Sequence, residues 1–400
     1  MKSRLSFCFS GYKYGMQRQY LHQHQRLRAI SFLVSEPPQH VHLWSSTMKL
    51  RAISVVCILL FHHAARVESR HPYHNWYNMF VFGDSFADDG NVPDNMGQLS
   101  RAWRYPYGLS FAEYNGRTHF YSTGRFSNYM VQSDFIAKIL GIHEAPHAYN
   151  RSFLQLPHYG MTFATGGSGV LEAPQEVPTL GQQVDSFEKL LRRKIISPAR
   201  LPDSVFLIAI SGNDYMPTVS LLGNSFGNAA ISETAGKVTN GIVANVKRLR
   251  KLGAKKILVN NMHPLGCTPR RTRPSNYTSC DDHGNMVTSI HNSNLKQKLR
   301  DSPAIRILDL NTAFTNIING TSESSPLSEQ FTNKLKPCCV AEDPEGFCGE
   351  LAGPFEHLYK LDGANVKRYF YWDDMHPTHA GWEVVMAQLE GTIKDFLNMN

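Results

Sequence analysis

An excess of charge of one sign is missing from most of this chain. Its 400 residues carry 41 Lys and Arg against 33 Asp and Glu, a formal net charge of +8. Ten of the basic residues but only two acidic ones, Glu36 and Glu68, lie in residues 1–70, so the remainder holds 31 of each. A neutral remainder leaves no electrostatic footprint for a phosphate backbone, and no nucleic-acid partner is expected. The cluster Arg270, Arg271, Arg273 sits among Pro and Thr and reads as a solvated loop. Long apolar runs are missing too: AISVVCILLF, Ala52 to Phe61, falls well short of the roughly 20 residues that span a bilayer, so no stable membrane span is expected. Cysteine is scarce, seven in all, and never in the Cys-x-x-Cys spacing of a zinc ligand pair. No internal repeat is visible.

What is present is the composition of a folded protein, 42% hydrophobic and 18% charged, which excludes disorder throughout. Met48 opens a second beginning: Lys49 and Arg51, the apolar run, then Ala64 and Ala65. A charged head, a short apolar stretch and a small-residue exit describe a secretory signal peptide over residues 48–70. Residues 1–47 read as upstream sequence or an unusual leader without a fold of its own, and residues 71–400 as a single domain. The expected location is secreted, with a vacuolar or other endomembrane destination compatible with the same leader.

Export changes how the cysteines read. Cys267, Cys280, Cys338, Cys339 and Cys348 all fall in the C-terminal half, and an oxidising compartment favours two disulfides and one spare thiol. The expected first bridge is Cys267–Cys280, closing a short loop around Asn276, with one thiol left free among the other three. Sequons at Asn150, Asn276 and Asn319 fit a secreted glycoprotein.

Short apolar runs recur at 79–83, 161–165, 205–210, 256–261 and 305–310, and such runs suit strands buried on both faces. Helix-like segments lie between them near 127–140, 180–194, 232–252 and 289–299, with a last one at 378–397. Strand and helix in alternation predict an α/β fold with a parallel sheet of about five strands covered on both sides. Ligands of such sheets bind outside the carboxyl ends of the strands. There the sequence places Asp84-Ser85, Gly166-Gly167-Ser168 and Ser211-Gly212-Asn213-Asp214, three polar corners expected on one rim.

A serine hydrolase needs a nucleophile, a base, a group that orients the base and donors for the oxyanion. YWDDMHPTHAGW supplies Asp373 three residues ahead of His376, before the last helix, with Asp374 and His379 as competitors and Pro377 expected in that helix's first turn. Two other patterns compete. GNSFG, around Ser225, matches a nucleophile elbow, but a strand ending there follows the one ending near Ile210 too closely for a parallel crossover. HEAPH, His143 to His147, matches a zinc-protease helix that Pro146 would break.

The set FVFGDSFADDGN, MTFATGGSG, ISGNDY, PLGCTP and YWDDMHPTHAG, in this order, resembles the GDSL esterase/lipase family of flowering plants, within the SGNH hydrolases, over about Met79 to Leu397. The resemblance implies a flavodoxin-like three-layer α/β/α sandwich. It also implies Ser85 as nucleophile, His376 as base and Asp373 as its partner. The oxyanion donors would be the backbone N–H groups of Ser85 and Gly167 and the side-chain amide of Asn213. Phe86 stands where the family has Leu, a change of packing, and Thr162 where Asn is common, which puts the rigidity of that corner in question. The implied activity is hydrolysis of an acyl ester or lipid through an acyl-enzyme, with no metal or organic cofactor. Acyl transfer by the same residues, or a catalytically idle secreted binding glycoprotein, are the alternatives.

Overall fold

In the computed structural model, residues 78–117, 119–154, 159–171, 176–216, 228–320, 329–353 and 356–399 are described. The leader, residues 1–70, and Ser225 lie outside them. The five apolar runs form strands β1 (Met79–Gly83), β2 (Gly160–Thr162), β3 (Val205–Ala209), β4 (Lys256–Asn260) and β5 (Ile305–Leu308). They build one sheet in the order β2-β1-β3-β4-β5 with every pair parallel. This is the flavodoxin-like order, and its topological switch falls between β1 and β3. β2 stops short of the expected 161–165 because the amides of Phe163 and Ala164 both converge on the Val81 carbonyl, which ends the regular ladder.

Six helices of eight or more residues flank the sheet among the described residues: α1 (Gln132–Ile139), α2 (Leu180–Arg192), α3 (Asn228–Leu252), α4 (Asp282–Leu299), α5 (Leu310–Asn319) and α6 (His379–Leu397). Alternation along each strand sorts the side chains into two cores. Met79, Val81, Val205, Leu207, Ala209, Leu258 and Leu308 pack with α1, α5 and α6. Phe80, Phe82, Phe206, Ile208, Ile257 and Val259 pack with α2, α3 and α4 on the opposite face. The result is the expected three-layer α/β/α sandwich. α5 was not anticipated; it starts directly after β5, where the Asp309 side chain accepts from the Thr312 amide, and ends at Gly320 in the left-handed conformation.

Beyond α5 the chain forms a small subassembly under the rim. Residues 333–337 pair parallel with 369–371, and 339–341 pair antiparallel with 359–361. Cys338, Cys339, Cys348, Tyr359, Val366, Tyr369 and Trp372 pack there together with Tyr107. Among the described residues the disulfides are Cys267–Cys280 and Cys339–Cys348, and Cys338 is the buried free thiol, in agreement with expectation. No helix of the described residues is long and apolar enough to cross a membrane.

Candidate active site

The three polar corners do meet on one rim, and buried carboxylates lock them together. Gly83 turns the chain out of β1 at φ +138°, and a Cβ there would stand 1.9 Å from the Ala209 carbonyl oxygen, so this position requires glycine. Gln183 of α2 clamps the same residue, accepting from its N–H at 2.8 Å and donating to its carbonyl at 2.8 Å. Asp84 then reaches across to the β3 corner, where its Oδ2 accepts from the Ser211 amide at 2.6 Å and hydroxyl at 2.8 Å. Asp88 reaches the other way, accepting from the Gly166 amide at 2.7 Å. Burial pushes both carboxyls up to about 6 against the pull of these donors. Asp214 holds the amides of Val170 and Leu171.

Ser85 sits on this corner, nearly buried, with its Oγ 2.7 Å from His376 Nε2. His376 Nδ1 lies 2.8 and 2.9 Å from the two oxygens of Asp373. The turn that carries this pair is closed by the Trp372 amide donating to the His376 carbonyl at 2.7 Å, and Asp373 Oδ1 also accepts from the amides of Met375 and His376. Burial alone would raise the Asp373 carboxyl; the His376 and Arg101 charges and these donors hold it well below the ordinary range. An ionised Asp373 only accepts, so Nδ1 carries a proton, and in the neutral imidazole Nε2 is then the nitrogen left to accept from the Ser85 hydroxyl.

The competitors are elsewhere. Asp374 pairs with Arg270 at 3.3 Å. His379 is buried against Tyr114, Tyr129 and Phe135, and burial depresses its pKa to about 3. Pro377 precedes the helix instead of entering its first turn: Thr378 is the cap, its hydroxyl accepting from the Gly381 amide at 2.9 Å. Residues 143–147 form no helix, and His143 and His147 are both exposed.

Among the described residues the N–H groups of Ser85 and Gly167 have no hydrogen-bond acceptor. The Asn213 amide donates to the Ser168 carbonyl at 2.9 Å and lies 3.4 Å from Asp84 Oδ2. Thr162 is fully buried, its hydroxyl donating to the Pro146 carbonyl at 2.6 Å while its own carbonyl accepts from Asn91. Phe86 packs on Trp382 and His263 behind the serine. Asn150, Asn276 and Asn319 are all exposed, although the Asn150 amide also donates to the Asn91 carbonyl at 2.8 Å. Sequence reasoning missed Asp88, Gln183, Tyr107 and Arg101 as supports of the corner and the turn. The acidic residues among 84–89 offered a signal for Asp88, and nothing local marked the other three.

A polar corner after β1 of a flavodoxin-like sheet, bearing a serine against an Asp-x-x-His turn, places the chain among the GDSL hydrolases. The chain belongs to the GDSL-like Lipase/Acylhydrolase family, whose model matches residues 79–389. It is similar to three proteins of Arabidopsis thaliana. GDSL esterase/lipase At5g03610 is 34% identical over 84% of this chain and 93% of its own. GDSL esterase/lipase At3g09930 is 32% identical over 82% and 93%. GDSL esterase/lipase At2g36325 is 35% identical over 78% and 85%. Among solved structures, an acetyl xylan esterase from Geobacillus stearothermophilus aligns over 81% of this chain and 95% of its own at 12% identity and a TM-score of 0.33, too loose a likeness to assign anything.

Proposed function

We propose that the protein is a secreted esterase that hydrolyses carboxylic acyl esters through an acyl-enzyme on Ser85. The observation that carries this reading is the continuous chain of contacts from Ser85 Oγ to His376 Nε2 at 2.7 Å and from His376 Nδ1 to Asp373 at 2.8 Å. Ser85 Oγ attacks the ester carbonyl as its proton passes to Nε2, and the carbonyl oxygen becomes an oxyanion. The imidazolium returns that proton to the departing alcohol as the C–O bond breaks and the acyl-enzyme forms. Water, deprotonated by the same nitrogen, attacks the acyl carbon, and collapse releases the acid and restores the serine. Asp373 keeps the imidazole in the productive tautomer and stabilises its charged form. The N–H groups of Ser85 and Gly167, with the Asn213 amide, serve the oxyanion, and loss of one such donor typically costs ~100- to 1,000-fold in kcat.

Two disulfides and three exposed sequons support passage through an oxidising, glycosylating compartment, with Asn150, Asn276 and Asn319 as the acceptors. The chemistry is tested by turnover of a short p-nitrophenyl ester. Ser85→Ala should abolish it, and Asp373→Asn should fall far below Asp374→Asn, on the order of the ~10,000-fold loss known for the equivalent change in a serine-protease triad. An active Ser85→Ala protein sinks the proposal.

A further inference from the structure

The Asp373 carboxylate is gripped by two side chains with no place in the triad. Tyr107, fully buried, donates its hydroxyl to Asp373 Oδ2 at 2.7 Å. Arg101, also buried, donates from Nε to the Tyr107 oxygen at 2.9 Å and stands 3.8 Å from the same Oδ2. Burial, together with the adjacent Asp373 charge, pushes the Tyr107 phenol well above its ordinary value, so the hydroxyl keeps its proton and donates. Phe126 closes the group. Its ring lies 5.2 Å from the Arg101 guanidinium carbon, 5.2 Å from the His376 ring and 6.3 Å from the Tyr107 ring. Trp372 packs edge-on against Tyr107 as well, at 5.9 Å.

Counting acceptors shows what this adds. The backbone amides of Met375 and His376 both go to Oδ1. Without the hydroxyl of Tyr107, Oδ2 would therefore have only the imidazole, and the carboxylate would be anchored by other donors at Oδ1 alone. A carboxylate anchored at one oxygen holds the imidazole less firmly, and an angstrom of misplacement is costly in a reaction that depends on aligned proton transfer. Arg101 in turn fixes which way the phenol points, because its N–H occupies a lone pair of the phenol oxygen and leaves the O–H for Asp373. Among the described residues it is also the Lys or Arg side chain within ion-pairing distance of this buried carboxylate.

We propose that Tyr107 and Arg101 are positioning residues that act through Asp373, a pair set on the 97–107 segment to hold the orienting carboxylate in the plane the imidazole needs. The proposal rests on the triad reading above. Neither residue needs to touch substrate for it to hold, so their loss is read in kcat and not in KM.

The experiment is a double-mutant cycle on hydrolysis of p-nitrophenyl acetate by the full chain. Tyr107→Phe keeps the ring and removes the donor, and kcat is expected to fall about 10- to 100-fold, the range of a hydrogen bond to a charged group, with KM unchanged. Arg101→Lys should retain more activity than Arg101→Met, which keeps the fold testable if either single change is poorly tolerated. In an Asp373→Asn background Tyr107→Phe should cost less than about 2-fold further, because the group it acts through has been altered. The same full loss in both backgrounds, or a Tyr107→Phe effect confined to KM, overturns the proposal. Asp373→Asn alone separates the two readings: wild-type turnover there overturns the triad, whereas a large loss there beside an unaffected Tyr107→Phe overturns only the positioning.

Discussion

His263 shows how little slack surrounds Ser85. Its ring lies 4.8 Å from that of Phe86 and 5.4 Å from that of Phe314, and both of its nitrogens are buried without a partner among the described residues. Burial first, then the His376 charge, depresses its pKa from 6.5 to about 3. The folded protein thus binds the imidazole neutral while the unfolded chain protonates it, so this group's contribution to stability is complete above pH 6.5 and is lost as the pH falls toward 3. His263→Leu removes the unpaired polar atoms and the titration together. Its Tm should equal or exceed that of wild type at pH 7.5, and the difference should widen in its favour at pH 5. Parallel losses in the two proteins on acidification would mean that His263 finds a partner when protonated. At this level of detail the sequence was informative wherever chemistry demanded a short spacing. Asp373 and His376 are three apart and share a turn, and Ser85 follows an apolar run. It was silent on Tyr107 and Arg101, whose 266- and 272-residue separations from Asp373 leave no periodic trace.

Strands and helices were legible to the extent that their burial is continuous. β1, β3 and β4 are near-unbroken apolar runs and fall within a residue of where the pattern puts them. α2 advertises itself by Thr179, whose hydroxyl accepts from the Gln182 amide while the Gln182 side chain answers the Thr179 amide. α5 went unread because Leu310 closes one apolar run and opens another, and nothing polar except Asp309 parts strand from helix. The short strands between 333 and 371 owe their pairing to contacts across tens of residues and to a disulfide, and local pattern does not encode that. Helix α2 offers the sharpest test of how the second core is held. Phe187 is fully buried and meets Phe80, Phe82, Phe163 and Phe206 edge-on at 5.0 to 5.9 Å. Phe187→Ala should lower the unfolding free energy by about 3–5 kcal/mol in urea titrations, since Phe80, Phe82 and Phe206 around it belong to strands that cannot collapse inward. A loss below about 1 kcal/mol would show that α2 repacks and that this face is not the rigid backing of the Gly83 corner.

Across the molecule, two apolar layers hold a five-stranded sheet whose carboxyl rim presents the serine, and the C-terminal subassembly delivers the Asp-x-x-His turn to it. The Cys339–Cys348 disulfide lies within that subassembly, and bridges of this kind persist in oxidising compartments. A chain beginning at Met48 should be exported and N-glycosylated in a plant cell, and retention of that chain in the cytosol while the full chain is exported would place the working leader within residues 1–47. The Ser85 assignment itself faces one decisive measurement. The purified protein is labelled with a fluorophosphonate, digested, and the modified residue located by mass spectrometry. The adduct should map to Ser85 in the Phe80–Asn91 stretch and vanish when the protein is first denatured; an adduct on Ser225 would contradict the active site described above.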